Sequence, residues 1–231
     1  ALIEAALMLH VSTRADLADD YMSRAVKVSR EVFGTEHRET ALALNDLANL
    51  VTIAKKADYT DESISYLEEA LVIREKVLSD NHPELTVNKV NLADQLFLRW
   101  KETGTNDDLQ GLETSAELLE EVMALHQAQG DEVNEMDRVS VKLLYARISF
   151  YLKDFATAAE NFEATLLPVS PDTDPLTYMV FSNSYAEYIT ALKETGETEK
   201  AETMRADIVR YLEAASAAEQ AQQQADSSLE E

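Results

Sequence analysis

Apolar residues recur three and four positions apart along most of the chain, the spacing of one helix face, and short polar breaks divide them into segments. The clearest segment runs from Ala70 to Leu85, A-L-V-I-R-E-K-V-L-S-D-N-H-P-E-L. Leu67, Leu71, Val72 and Val77 fall on one side of this helix, and Arg74, Glu75 and Lys76 fall on the other. Ser79-Asp80-Asn81 breaks it. Pro83 has the fixed φ of a first helical turn, with Asn81 or His82 placed to cap it. The unit is therefore helix, tight turn, helix.

Weaker copies lie on both sides. Ala25-Val26 matches Ala70-Leu71 at an offset of 45, and His37 and Leu47-Ala48 match His82 and Leu92-Ala93. Leu67-Glu68-Glu69 returns 52 residues later as Leu119-Glu120-Glu121. Leu92-Ala93 returns after 53 as Tyr145-Ala146, and Tyr185-Ala186 follows after a further 40. Periods of about 20–50 residues mark a solenoid, in which a helical pair buries its apolar face only against its neighbours. The pattern predicts helices over 17–33, 39–55, 61–78, 83–101, 109–127, 135–153, 155–167, 178–194 and 198–214. In the second of these, Leu44, Leu47, Ala48 and Val51 face Ile64, Leu67 and Leu71; in the first, Ala18, Tyr21, Met22, Ala25 and Val28 point inward. Ala1 to Val11 reads as the remainder of a helix without its opening turns, and Ser12 to Ala15 as a turn. Gly34 stops the helix before it, the polar run from Glu102 to Asn106 is a loop, and Asp174 caps a helix that starts at Pro175 after three prolines in eight residues. Residues 215–231, rich in Ala, Gln and Glu, extend the last helix and fray, leaving 1–214 as one repeat domain whose first repeat is truncated.

Ala158 and Phe162, following Phe155, have the tetratricopeptide A-x-x-x-F spacing. Ile73-Arg74-Glu75-Lys76-Val77-Leu78, running into His82-Pro83 and followed by Asn91-Leu92-Ala93, closely resembles the long tetratricopeptide repeats of kinesin light chain. The resemblance is strongest over 15–98. It departs at Arg38, where Pro83 has its counterpart, at an insertion near Gly104 to Gly111, and at Pro168, which cuts one helix short. It implies an all-α, right-handed α-α superhelix of about five helical hairpins.

Five glycines, four prolines and 45% apolar residues in 231 suit one helical domain, and no apolar run approaches the roughly 18 residues that span a bilayer. The net charge of −24 repels nucleic-acid backbones and anionic membranes, and no basic stripe offsets it. Zero cysteines exclude disulfides and thiolate metal sites. No phosphate loop, His-Glu-x-x-His, serine elbow or calcium loop occurs, so no cofactor or metal is expected and no enzyme activity. His37 and His82 occupy equivalent turns, a structural position; His10 and His126 lack a second ligand at i+4. Carboxylate pairs such as Glu68-Glu69 arise by chance among 44 acids. Trp100 is expected to pack on the loop that follows it.

What remains is surface. The family resemblance implies that the first helix of each pair lines a concave groove for a peptide or partner segment. The groove candidates are Asn45, Asp46 and Asn49; Asn91, Asp94 and Phe97; Arg147, Phe150 and Tyr151; and Asn183 and Glu187. Asn91 keeps the asparagine that the resemblance assigns to a bound peptide's backbone, and Asp46 replaces it one repeat earlier. Asparagine offers a donor and an acceptor, and the aromatic residues offer anchor area. The expected role is a noncatalytic scaffold or adaptor for a protein or peptide partner, one with basic residues, with self-association as a competing use of the groove. The alternative is a regulatory or sensor segment of a larger signalling protein or enzyme.

Overall fold

Glycine-poor, periodic segments of this kind bury an amphipathic stripe most readily by pairing helix on helix. The computed structural model describes residues 15–53, 60–103 and 109–229, and among them the regular structure is helical. We number the helices α1 (Ala15–Phe33), α2 (Arg38–Ile53), α3 (Thr60–Val77), α4 (Pro83–Thr103), α5 (Leu109–Gln129), α6 (Glu135–Tyr151), α7 (Phe155–Thr165), α8 (Pro175–Glu194) and α9 (Thr198–Leu229), with a 3-10 turn at Gly130–Glu132. The readings of Ala1 to Val11, Ser12 to Arg14 and the insertion at 104–108 lie outside the described residues. The chain forms two compact units, Ala1–Val141 and Lys142–Glu231.

In the first unit each helix packs on the next from α1 to α5. Val26, Leu44, Leu47, Leu50, Ala70 and Ile73 make one core cluster, and Ala48, Ile64, Leu67, Leu92 and Leu96 make the next. The small residues Ala48 and Ala93 let the paired helices approach closely. At each, a serine of the second helix donates to the alanine carbonyl: Ser63 to Ala48 and Ser115 to Ala93, both at 3.1 Å. Those serines stand 52 residues apart, the repeat read from the sequence.

The turns follow from residue type. His37 and His82 each accept the backbone N–H two residues on through Nδ1, at 3.2 Å, opening α2 and α4 in the same way. Gly34 and Gly196 take φ of +96° and +86° just past the ends of α1 and α8, a conformation open to glycine at little cost. Lys153 takes φ of +65°, so α6 ends at Tyr151 rather than running through 153.

In the second unit Ala146, Ala158, Ala159, Phe162, Tyr188, Ala191 and Ala201 form the main core. Helix α7 is only 11 residues long. The extended segment after it substitutes for the missing turns: Val169 is buried with Tyr185 and Tyr211, and Tyr185 donates its hydroxyl to the Leu167 carbonyl at 2.9 Å. Asp174 accepts the Thr177 N–H at 2.8 Å and Pro175 begins α8, as the sequence indicates. Helix α9 continues through the Ala/Gln-rich stretch to Leu229.

Inward and outward faces differ from expectation at particular places. Arg74, read as part of the solvated face of α3, is 2% exposed, while Val72, read as inward, is 52% exposed. Val28 and Val77 are likewise exposed, and Ile73 takes the core position. The cause is one polar environment: acceptors from α2 and α4 converge under α3 and draw the arginine in, turning the helix stripe by one residue.

Candidate functional site

On α2 and α4 the same spacing recurs on the exposed side. Leu42, Asp46 and Asn49 lie four and three apart, and Val87, Asn91 and Asp94 repeat that spacing 45 residues later. Steps of four and three keep each trio on one face of its helix. Leu42 is 38% exposed and Val87 51% exposed, Asn49 and Asp94 are exposed, and Asp46 and Asn91 are half-buried. Asn91 Nδ2 donates to Asn45 Oδ1 at 3.1 Å, fastening the two columns side by side. Each column thus offers an aliphatic side chain followed by two polar ones.

Beneath this strip lies a buried polar cluster. Arg74 Nη1 donates to Asn88 Oδ1 at 2.9 Å and reaches Asn45 Oδ1 at 3.5 Å, and its Nε stands 3.5 Å from Glu84 Oε2. Asn88 Nδ2 donates to the Leu67 carbonyl at 3.0 Å, and Arg38 Nε donates to Glu84 Oε1 at 2.8 Å. Burial works against the Arg74 charge; Glu84 and then Asp46 support it. The hydrogen bond from Arg38 holds the Glu84 carboxyl below the usual range, against the opposing pull of burial. Burial raises the Asp46 carboxyl, an effect countered by the hydrogen bond from Asn45 and by the Arg74 charge. A buried charge is tolerated when paired and hydrogen-bonded, and this one donates to Asn88 and Asn45 and is paired with Glu84, although no hydrogen bond closes between Nε and Oε2.

Other candidates are placed differently. Asn45 is buried under the strip, and Phe97 is buried with its ring stacked on Trp100 at 6.2 Å. The loop on which Trp100 is expected to pack lies outside the described residues. In the second unit Arg147 Nε donates to Glu187 Oε2 at 3.1 Å and the Tyr151 hydroxyl to Glu187 Oε1 at 2.9 Å, joining α6 to α8. Burial, then the Glu187 carboxylate, raises the Tyr151 hydroxyl, so it remains a donor. Phe150 packs edge-on against Tyr151 and Phe155, and Asn183 is exposed on α8. The structure therefore brings Asn45, Asp46, Asn49, Asn91 and Asp94 together in one unit and Arg147, Phe150, Tyr151 and Glu187 in the other.

Several exposed residues escaped the sequence reading. Leu42 and Val87 occupy what the helical pattern treats as ordinary surface, and only their shared offset of 45 could have singled them out. Leu176, Met179 and Val180 form an exposed apolar stripe at the start of α8. An open cleft of about 760 Å³ lies where α7 stops short, lined by Leu166, Val169, Tyr188, Lys200 and Met204 among others. Lys200 there is engaged by Glu163 at 2.6 Å. Among the described residues no group of three His, Cys, Asp or Glu side chains could hold a metal ion, and no helix is long and apolar enough to cross a membrane.

Residues 40–84 match the tetratricopeptide repeat family, the segment that holds most of α2, all of α3 and the first residues of α4. The fold over nearly the whole chain is similar to the nearly identical TPR-like repeats of a putative kinesin light chain from Podosopora anserina, with TM-score 0.66, 18% identity, and 91% of this chain and 93% of that one covered. A single-substitution form of that protein gives TM-score 0.66 at 15% identity, with 95% of each chain covered. BtubC (BKLC) from P. vanneervenii gives TM-score 0.66 at 17% identity over 93% of this chain and 78% of that one. No curated protein matches the sequence.

Proposed function

We propose that the chain is a noncatalytic protein-interaction module that holds an extended partner segment on its first helices, along a concave groove of the kind tetratricopeptide repeats provide. One observation carries this reading: Leu42, Asp46 and Asn49 stand beside Val87, Asn91 and Asp94, with Asn45 and Asn91 bonded at 3.1 Å between the two helices. Paired columns of this kind suit a peptide in the extended state. Its backbone has N–H and C=O groups for the amides, and alternate side chains reach the aliphatic positions.

The partner is basic, because Asp46 and Asp94 lie in the strip and the whole chain carries −24. In the second unit Arg147, Phe150, Tyr151 and Asn183 are the candidates on α6 and α8, with Glu187 buried beneath as the acceptor of Arg147 and Tyr151. The same acidity disfavours pairing with a second copy.

A peptide array probed with wild type and with the double variant Asn49→Ala, Asn91→Ala tests the reading, both proteins being checked for helicity. Loss of array binding in the double variant is the expected result. Binding that survives there but is lost in Glu68→Ala, Val72→Ala, on the exposed side of α3, would place the interface on the second helices instead.

A further inference from the structure

Packing alone does not account for an arginine buried at the centre of the first unit. Asn88 Oδ1, Asn45 Oδ1 and Glu84 Oε2 face Arg74 at 2.9, 3.5 and 3.5 Å. A guanidinium only donates and keeps its proton, so it decides how each neighbouring amide is turned. Asn88 shows Arg74 its oxygen and sends its nitrogen to the Leu67 carbonyl. Asn45 also turns its oxygen toward Arg74, and its bond to the Asp46 carboxylate, which can only accept when ionised, comes from the nitrogen end. Both charges thus favour the same orientation of Asn45. With its oxygen held there, Asn91 must approach nitrogen first, Nδ2 to Oδ1 at 3.1 Å, and the Asn91 amide oxygen is turned to the other side.

We propose that Arg74 is the positioning residue of the binding strip: through Asn45 it turns Asn91 so that Asp46, Asn91 and Asp94 present hydrogen-bond acceptors, and the partner is a segment whose arginine or lysine side chains donate to them. This rests on the protein-binding reading above and narrows it to donor-rich segments. Leu42 and Val87, exposed at one end of the two columns, receive the apolar parts of such side chains. Reversing the Asn91 amide would put a donor in place of that acceptor and favour a different ligand.

The test uses the full chain, two immobilised decapeptides of alternating alanine–arginine and alanine–glutamine, and the Asn91 side-chain amide resonances as a second readout. In Arg74→Met the resonances shift and the preference for the arginine peptide falls by about tenfold, the worth of one charge-assisted hydrogen bond. Arg74→Lys, which still donates, keeps most of the preference. Asn45→Leu breaks the relay without touching Arg74 and gives the same two changes, which covers the case in which Arg74→Met does not fold. A folded Arg74→Met or Asn45→Leu protein with unmoved Asn91 resonances and an unchanged preference would make Arg74 a packing element and overturn the proposal. If wild type captures neither peptide, the partner class falls together with the binding reading, whereas the Asn91 resonances still decide the positioning role.

Discussion

In residues 1–141 the central cation lies below the first helices, whereas in residues 142–231 it lies among them. Arg74 is enclosed, and the bond that joins α2 to α4 above it runs between two neutral amides, Asn91 and Asn45. Arg147 instead takes part directly, bonding to Glu187 to join α6 and α8, with Tyr151 donating to the same carboxylate. The second helices differ as well. Helices α3 and α5 run 18 and 21 residues, but α7 has 11 and is completed by an extended segment held through Tyr185 and Val169. The small-residue contacts between paired helices recur, while the placement of charge and the closing of the second helix vary. A repeat therefore constrains its close backbone contacts tightly and its polar cross-links loosely.

The largest effect should come from the buried cation. Arg74→Ala takes the donor from Asn88 Oδ1, leaves Glu84 to Arg38 alone and opens a cavity under α3, and should cost about 3–5 kcal/mol in urea unfolding of the first unit. A loss under about 1 kcal/mol would mean that water or a neighbouring side chain replaces the guanidinium easily, and the contrast between the two units would lapse. Glu187→Ala is the matching change in the second unit. Arg147 and Tyr151 are both part-exposed and can turn to solvent, so the cost should be smaller, about 1–3 kcal/mol, read by amide exchange in α6 and α8. An equal or larger loss there would reverse the ranking.

Tyr185→Phe removes only the hydroxyl that reaches the Leu167 carbonyl and should cost about 1 kcal/mol, seen as faster exchange in α8. No change would show that Val169 alone holds the segment after α7. The smallest effect concerns Asp46, whose carboxyl is raised by burial. A raised folded value means that its favourable contribution is present below the ordinary carboxylate range and is lost as pH rises through the folded value, so the ionised form is a cost at neutral pH. Asp46→Asn should therefore stabilise slightly at neutral pH, by about 0.5 kcal/mol, and the advantage over wild type should vanish near about pH 4. Destabilisation at neutral pH would instead mean that the attraction between Asp46 and Arg74 outweighs the burial.

Helix positions, turns and repeat spacing were legible because each follows from local chemistry. His37, His82, Gly34, Asp174 and Pro175 act through bonds or dihedral preferences within a few residues. Ala48 and Ala93 were legible as packing positions for the same reason: a small side chain is small in any surroundings. The candidate strip was legible in part. Asn49 and Asp94 do lie exposed, and Asp46 and Asn91 half-exposed, yet Asn45, Phe97 and Glu187, chosen by the same rule, are buried. A single helical period cannot separate a residue facing solvent from one facing the adjoining repeat, because both lie off the apolar stripe.

By itself the sequence determined the all-α class, the helical pairs with their spacing, and an acidic surface without a recognisable catalytic motif. These follow from periodicity, breakers and charge, which are properties of the chain. The tertiary structure alone decided that Arg74 goes in and Val72 goes out. That choice depends on acceptors at Asn45, Glu84 and Asn88, which lie 29, 10 and 14 residues away and meet only when α2, α3 and α4 stack. Without them the guanidinium would keep its water and the valine its core position, since desolvating a charge is favourable only where partners already wait.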